Sequence, residues 1–528
     1  MNNLKHKLAS FVKGRGFSSG VVTALVIAIF AVANVLMYTV YFAFMVESSS
    51  VEKEDLSITG AADLMFNRAQ QSGKKVTVTF CMSESDIQTH ETGNYVYRTA
   101  MEFAERYPDF IEIRYANVMT LKYDDTGEDF NPARYQKVAR KDASGEAITD
   151  KNGEIIYDEY SLTRASVLFE CHTTDTHGTV TRENIKVLTT SSAYSSFFTF
   201  DDSGYITSYN GEEIFASNIS WVIADEHDTV YFTMGHGEAP SLNFYNALVS
   251  AGYYVEEINL RKQSVPDDAA FVVIADPKSD FEKSSEGSGI VSEMDRLKEY
   301  AERGGKFYVN MDPIAEALPR LEEFIADFGI SFDTAEGGER QLVKDLDKAI
   351  GTDGFTLITE YADTPLAKDV YENISDLDGS VIIRDIAALK CDSSKGAASL
   401  LVASPSAVLE ASGSTTDTDG SYTVVAYSKK YNDTAEAARL VLVPSIYMTA
   451  SDAMVTNGYS NKDFLYSLFE SFYGAENVLY GTNDVVQQST MLENLTLGTS
   501  ITYTALLLAL PAALAAFGAV TIVRRKNR

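Results

Sequence analysis

Cysteine, tryptophan and histidine are scarce in this sequence: 3, 1 and 6 among 528 residues. Cys81, Cys171 and Cys391 are far apart and odd in number, which excludes a disulfide framework or a cysteine-rich zinc site. One bridge and none at all both stay open. Cys81 has no partner at C-x-x-C spacing, so dithiol redox chemistry lacks its second thiol. The one G-x-S-x-G match, Gly16–Gly20, precedes the first uncharged run and follows no predicted strand; there is no G-x-C-x-G elbow, no Walker A sequence and no G-x-G-x-x-G after a strand. Nucleophilic and nucleotide-dependent chemistry are therefore unsupported. Positive charge is short too, with 44 Lys and Arg against 75 Asp and Glu, a net charge of −31. That excess repels nucleic acid and anionic lipid headgroups.

Charged residues are missing altogether from two runs. Residues 21–45 contain only Asn34, threonines such as Thr23 and Thr39, and tyrosines as polar breaks. At 1.5 Å per residue such a helix reaches about 37 Å, enough for a hydrocarbon core of about 30 Å. Residues 501–523 form the second run, with Pro511 and Gly518, both tolerated in bilayer helices. Lys5, Lys7, Lys13 and Arg15 precede the first run, and Arg524, Arg525, Lys526 and Arg528 follow the second. No Lys or Arg occurs from Asp463 through Val523. The positive-inside rule then predicts two spans in a plasma membrane, cytoplasmic tails at 1–20 and 524–528, and an extracytoplasmic middle. A cleaved signal peptide fits less well, because the first run exceeds the usual 7–15 apolar residues and no clear A-x-A site follows. Without the eight basic residues of the tails, the middle carries −39.

Between the spans, 45% hydrophobic and 11% aromatic residues describe a folding chain of two or three domains. Residues 46–60 read as a stalk opening a first extracytoplasmic α/β domain over 46–226. Periodicity predicts a helical turn at 61–70, a strand at 75–82, a helix at 95–107 and a strand at 111–116, a β-α-β unit. Strand-like runs follow at 135–140, 154–160, 165–172 and 179–188, with Asn152-Gly153 as a hairpin signal, and a helix at 214–225 closes the domain.

A second domain, 227–480, alternates strands at 229–234, 253–258, 270–275 and 306–311 with helices. The first helix is expected to bury Leu242, Tyr245, Leu248 and Val249. The next carries Ile290, Met294, Leu297 and Ala301 on one face, and the third Leu318, Leu321, Phe324, Ile325 and Phe328. Such alternation, with continuously apolar strands, means a doubly wound parallel sheet. Gly252, Gly304 and Gly329 fall where helix ends need a left-handed residue. Beyond them the expectations are strands at 381–385, 422–428 and 439–443, a Ser/Thr/Asp/Gly loop at 411–421, and a helix at 462–472. A juxtamembrane linker follows at 481–500.

Ligands bind such sheets at the carboxyl ends of the strands. Here those ends carry Gly235, His236, Gly237 and Glu238, then Asp276, then Asp312. One histidine and three carboxylates on one edge could bind a ligand, hold a metal or run acid–base chemistry. The bland alternative is a tight glycine turn plus Asp-Pro pairs that stop strands. His172 and His177 flank a turn and could meet, but two ligands do not make a metal site.

The segments VYFTMGHGE and LVSAGYYVEEINL (230–260), VPDDAAFVVIADPKSD, MDRLKEYAERGGKFYVNMDP, RLVLVPSIYMT and NKDFLYSLFESFYG resemble a known family. It is the gliding-motility-type (GldG-like) extracytoplasmic auxiliary component of ABC transporters. KVTVTFCMSES resembles the start of that family's first domain, and about two-thirds of the chain takes part. The resemblance implies a thioredoxin-like first domain and a glutamine-amidotransferase-like second domain without the nucleophile. It also implies no catalytic residues, no metal and no cofactor. The implied partners are a separate ABC ATP-binding subunit and a multi-span permease in a bacterial membrane. An acidic insertion around 120–160 departs from the family pattern. Two other readings stand beside this one. The chain could be a cell-surface hydrolase using His236, Glu238, Asp276 and Asp312, or a surface receptor or adhesin, for which the short tails leave no signalling domain.

Overall fold

The computed structural model describes residues 56–486, apart from 143, 151, 176, 178, 201–205, 284–290, 378–379, 418–419, 432–436, 451–452, 455–458, 477 and 483–484. The runs at 21–45 and 501–523 and both tails lie outside these residues. Among the described residues no helix is long and apolar enough to cross a membrane. Residues 56–486 form one contact-dense unit of mixed α/β structure.

The first half opens with α1 (Asp63–Gln71), β1 (Lys74–Phe80), α2 (Gly93–Arg106) and β2 (Ile111–Asn117). β1 and β2 pair in parallel, so the expected β-α-β unit is present. A small hairpin of β3 (Lys137–Ala139) and β4 (Tyr157–Glu159) precedes β5 (Val167–Thr174) and β6 (Val180–Leu188). β5 lies antiparallel to β1 and to β6, so β2, β1, β5 and β6 lie side by side in that order. α3 (Gly211–Ile223) packs on this sheet, and its Phe215 meets Phe80, Phe103, Phe169 and Phe197 at the centre of the core.

Two expectations change here. The stalk does not reach residue 60: Leu56 and Ile58 are buried in this core, and Thr59 donates from its backbone to Glu212 at 2.8 Å. An extended segment with apolar residues two apart can lay one side on a core, and this one does. At 135–140 only β3 is extended. Ala133–Gln136 is a helical turn, because it carries Tyr135 into a second cluster with Phe130 and Leu168.

The second half is built on β7 (Thr229–Thr233), α4 (Leu242–Ser250), β8 (Tyr254–Ile258), β9 (Ala269–Ala275), α5 (Glu293–Glu302), β10 (Lys306–Asn310) and α6 (Pro319–Asp327). The sheet continues through β11 (Ala397–Val402), β12 (Thr423–Tyr431) and β13 (Ala437–Val443). β8, β7, β9, β10 and β13 are parallel neighbours in that order; β12 and β11 extend the edge antiparallel. Alternate residues of β9 face opposite ways: Phe271, Val273 and Ala275 join one core, Val272 and Ile274 the other. The first core takes α4 and α7 (Asn461–Leu468), and the second takes α5 and α6. Both faces are covered, as the apolar strands required. Gly252, Gly304 and Gly329 do end helices with φ of 92°, 86° and 81°.

α4 turns a different side inward from the one its pattern suggested. Phe244, Ala247 and Leu248 are buried, while Leu242 is 70% and Tyr245 42% exposed. The Phe244 ring decides this, reaching Phe232, Tyr308 and Phe469. The loop expected at 411–421 contains a strand, Ser414–Asp417, paired with Val408–Ala411. Ser412 and Gly413 (φ 50° and 72°) make the connecting turn, of the kind that suits strand twist. The linker expected from 481 is partly structured as well: Val485–Val486 pairs with Ile206–Tyr209 of the first half.

Candidate functional site

In the order β8, β7, β9, the chain leaves β7 to one side and returns on the other. The connection through α4 covers one face and that through α5 the opposite face. The crevice between the carboxyl ends of β7 and β9 is thus the switch point of an open parallel sheet. Gly235 to Glu238 and Asp276 stand there, and Asp312 follows β10 next door.

Local chemistry shapes the first turn. Gly235 and Gly237 have φ of 116° and 78°, values that side chains disfavour, and a Cβ on Gly237 would stand 3.2 Å from that of Lys278. This turn points His236 inward, where it is 2% exposed. Its Nδ1 lies 3.1 Å from Glu238 Oε1 and its Nε2 2.9 Å from Glu293 Oε2, and the ring stacks on Phe281 at 4.0 Å. Glu238 also accepts the His236 backbone N–H at 2.7 Å. The His236 carbonyl accepts the N–H groups of Lys278 and Ser279 at 2.8 and 3.0 Å. Burial alone would lower the imidazole pKa, but the hydrogen bonds to Glu238 and Glu293 outweigh it and hold it above the ordinary value. Burial likewise works against the Glu238 carboxylate, yet its bonds to His236 keep its pKa below the usual range. Arg261, 3.4 Å from Glu293 Oε1, adds positive charge to this pair of acids.

The neighbouring group is simpler. Asp276 has a left-handed backbone (φ 52°) and is buried. The Lys278 amine lies 2.7 Å from Asp276 and 3.6 Å from Asp312. Desolvation opposes the Lys278 charge, but the two carboxylates raise its pKa.

The structure thus brings all six candidate residues to one edge, in two linked groups. It adds Glu293, Lys278 and Phe281, which the sequence reading did not single out. Ser292 and Asp295 form a capping box at the start of α5, a sequence-level signal that places Glu293 in the first turn, where a carboxylate is favoured. Both nitrogens of His236 are occupied by carboxylates and the ring is shielded, so it serves as a cross-strut between β7 and α5. Acid–base turnover would first require that strut to open.

No cysteine joins this edge. Cys81 and Cys171 are buried in the first half, where burial raises both thiols to about 12, and all three cysteines are free. His177 is exposed in its turn. His172 instead faces Glu183 across the β5–β6 pair, with Glu170 beside it, three donors mutually within 4.8 Å. Arg134 lies 2.7 Å from Glu170 and also contacts Glu183, supplying the positive charge a metal ion would bring.

No protein-family model matches this sequence, and no curated protein does. Among solved structures, the chain is similar to the mmIFT52 N-terminal domain, at 11% identity and a TM-score of 0.35, over 47% of this chain and 99% of that one. A ThuA-like protein from Parabacteroides merdae is similar at 11% identity and a TM-score of 0.30, over 48% and 92%. A glutamine amidotransferase from Methylobacillus flagellatus is similar at 10% and 0.21, over 33% and 61%. Likenesses this loose carry no functional assignment.

Proposed function

We propose that the chain is a non-enzymatic, membrane-anchored, extracytoplasmic auxiliary subunit of a bacterial ABC-type, gliding-like transport complex. The observation that carries this reading is the state of His236. At the switch point, where an open sheet of this kind would hold a ligand, both imidazole nitrogens are bound by buried carboxylates. The uncharged runs at 21–45 and 501–523 supply two anchors, and the missing ATP motif makes a separate energy-coupling subunit necessary. The order β2, β1, β5, β6 supports a thioredoxin-like assignment for the first domain. The order β8, β7, β9, β10, β13 supports a doubly wound, glutamine-amidotransferase-like second domain.

Affinity purification of the tagged full chain from native membranes after crosslinking tests this. Recovery with an ABC ATPase and a polytopic permease is expected. Repeated recovery without either would overturn the reading. The alternative hydrolase keeps one specific observation in its favour, the left-handed backbone at Asp276 beside Lys278. Activity of the full chain on wall glycans or peptides, abolished by Asp276→Asn, would favour it.

A further inference from the structure

Within a chain of net charge −31, one cavity gathers cations. It has a volume of about 190 Å³ and runs along β6, closed by the β3–β4 hairpin, with Arg134, Lys137, Lys141 and Arg182 against Asp158 and Glu183 on its walls. Some of these charges are matched. Arg134 spans Glu170 and Glu183, and Arg140 holds Asp158 at 2.9 Å. The Lys141 amine, however, donates to a neutral acceptor, the Glu183 carbonyl. Next to the cavity, the Lys186 amine lies 4.5 Å over the Trp221 ring and has no ion pair among the described residues.

Two further observations mark the same place as positive and short of a partner. Trp221, on the cavity wall, is 5% exposed, and its indole N–H has no hydrogen-bond acceptor. An orphaned buried donor costs about 1–3 kcal/mol, which an anion in reach would relieve. His227, stacked on Trp221 at 4.0 Å, is pushed down to about 4, chiefly by burial and further by the charges of Lys186 and Arg182. Burial likewise lowers Lys186 to about 8, against the attraction of Asp158 and with Arg140 adding to the fall.

We propose that this cavity binds a compact oxyanion of the phosphate kind, with Lys141 and Lys186 supplying charge and Trp221 forming one wall. The volume admits a phosphate group with a small substituent. Free phosphate esters and phospholipid headgroups share this chemistry.

Trp221 is the only tryptophan in the chain, so its fluorescence reports on the cavity alone. The full chain in neutral detergent is titrated with inorganic phosphate at constant ionic strength, chloride serving as control. A saturable change in emission is expected, with the midpoint weakened at least tenfold in Lys141→Gln/Lys186→Gln and severalfold in the exposed Lys137→Gln. Phosphatidylglycerol vesicles give the second arm: a response to vesicles without one to dissolved phosphate makes a headgroup the ligand. No saturable response in either arm, or affinity unchanged in variants with wild-type thermal midpoints, overturns the proposal.

Discussion

Glu213 and Lys462, 249 residues apart, form a 2.8 Å ion pair that joins α3 of the first half to α7 of the second. The other Glu213 oxygen accepts the Tyr466 hydroxyl at 2.8 Å. Burial opposes this carboxylate, but Lys462 and Tyr466 together keep its pKa below the usual range. Such a contact makes the two halves interdependent.

Removing one partner of a buried pair leaves the other uncompensated, at a cost of about 3–5 kcal/mol. Lys462→Met is therefore expected to lower stability by that amount in denaturant unfolding. The double variant Glu213→Gln/Lys462→Met should lose clearly less than the sum of the single variants. Strict additivity would show that the pair is not coupled.

The His236 strut has a pH signature. A raised imidazole pKa stabilises fully below the unfolded value of about 6.5, and this is lost as pH rises through the folded value. The lowered Glu238 pKa stabilises above about 4.3, and this is lost as pH falls through its folded value. The stability difference between wild type and His236→Gln should accordingly be largest near pH 5.5 and smaller at pH 9. A pH-independent difference would exclude a charged strut.

Lys186 runs the other way. Its folded value of about 8 lies below the unfolded value of about 10.4, so at this group the native state binds fewer protons and its contribution to stability rises between those limits. The difference in thermal midpoint between wild type and Lys186→Met, measured from pH 7.5 to 10, should move in favour of wild type as pH rises, and a pH-independent difference would contradict the lowered amine.

Gly237→Ala places a Cβ at φ 78°, 3.2 Å from the Lys278 Cβ. A left-handed non-glycine residue costs about 1–2 kcal/mol, to which the contact adds. A midpoint lowered by several degrees is expected, and an unchanged one would mean the turn relaxes freely.

Burial raises Cys81 and Cys171 to about 12, so few thiolates exist near neutrality. Iodoacetamide at pH 8 should modify both only after denaturation. Rapid labelling of the native chain at Cys81 would contradict its place in the core.

Much of the second half was legible because strand and helix periods alternate cleanly from Thr229 to Phe328, with glycines punctuating the helix ends. Local pattern decides such elements. α4 shows where that stops. Leu242 and Phe244 are both apolar, and only the space beside Phe232 and Tyr308 chose Phe244. The region after Gly329 was obscure for a related reason. β11 owes its place to β12, which follows only after residues 403–422, a stretch longer than a local window, although β12 itself pairs with the adjacent β13.

The sequence by itself determined the charge imbalance, the two uncharged runs, the lack of a nucleophile elbow after a strand and of nucleotide motifs, and the residues at the strand ends. Each is a matter of composition or short-range spacing. Tertiary structure alone decided what those residues do. It closed Glu293 onto His236, set Lys278 between Asp276 and Asp312, and collected Lys141, Lys186 and Trp221 around one cavity. A side chain's chemistry follows from what surrounds it, and those neighbours arrive from distant parts of the chain.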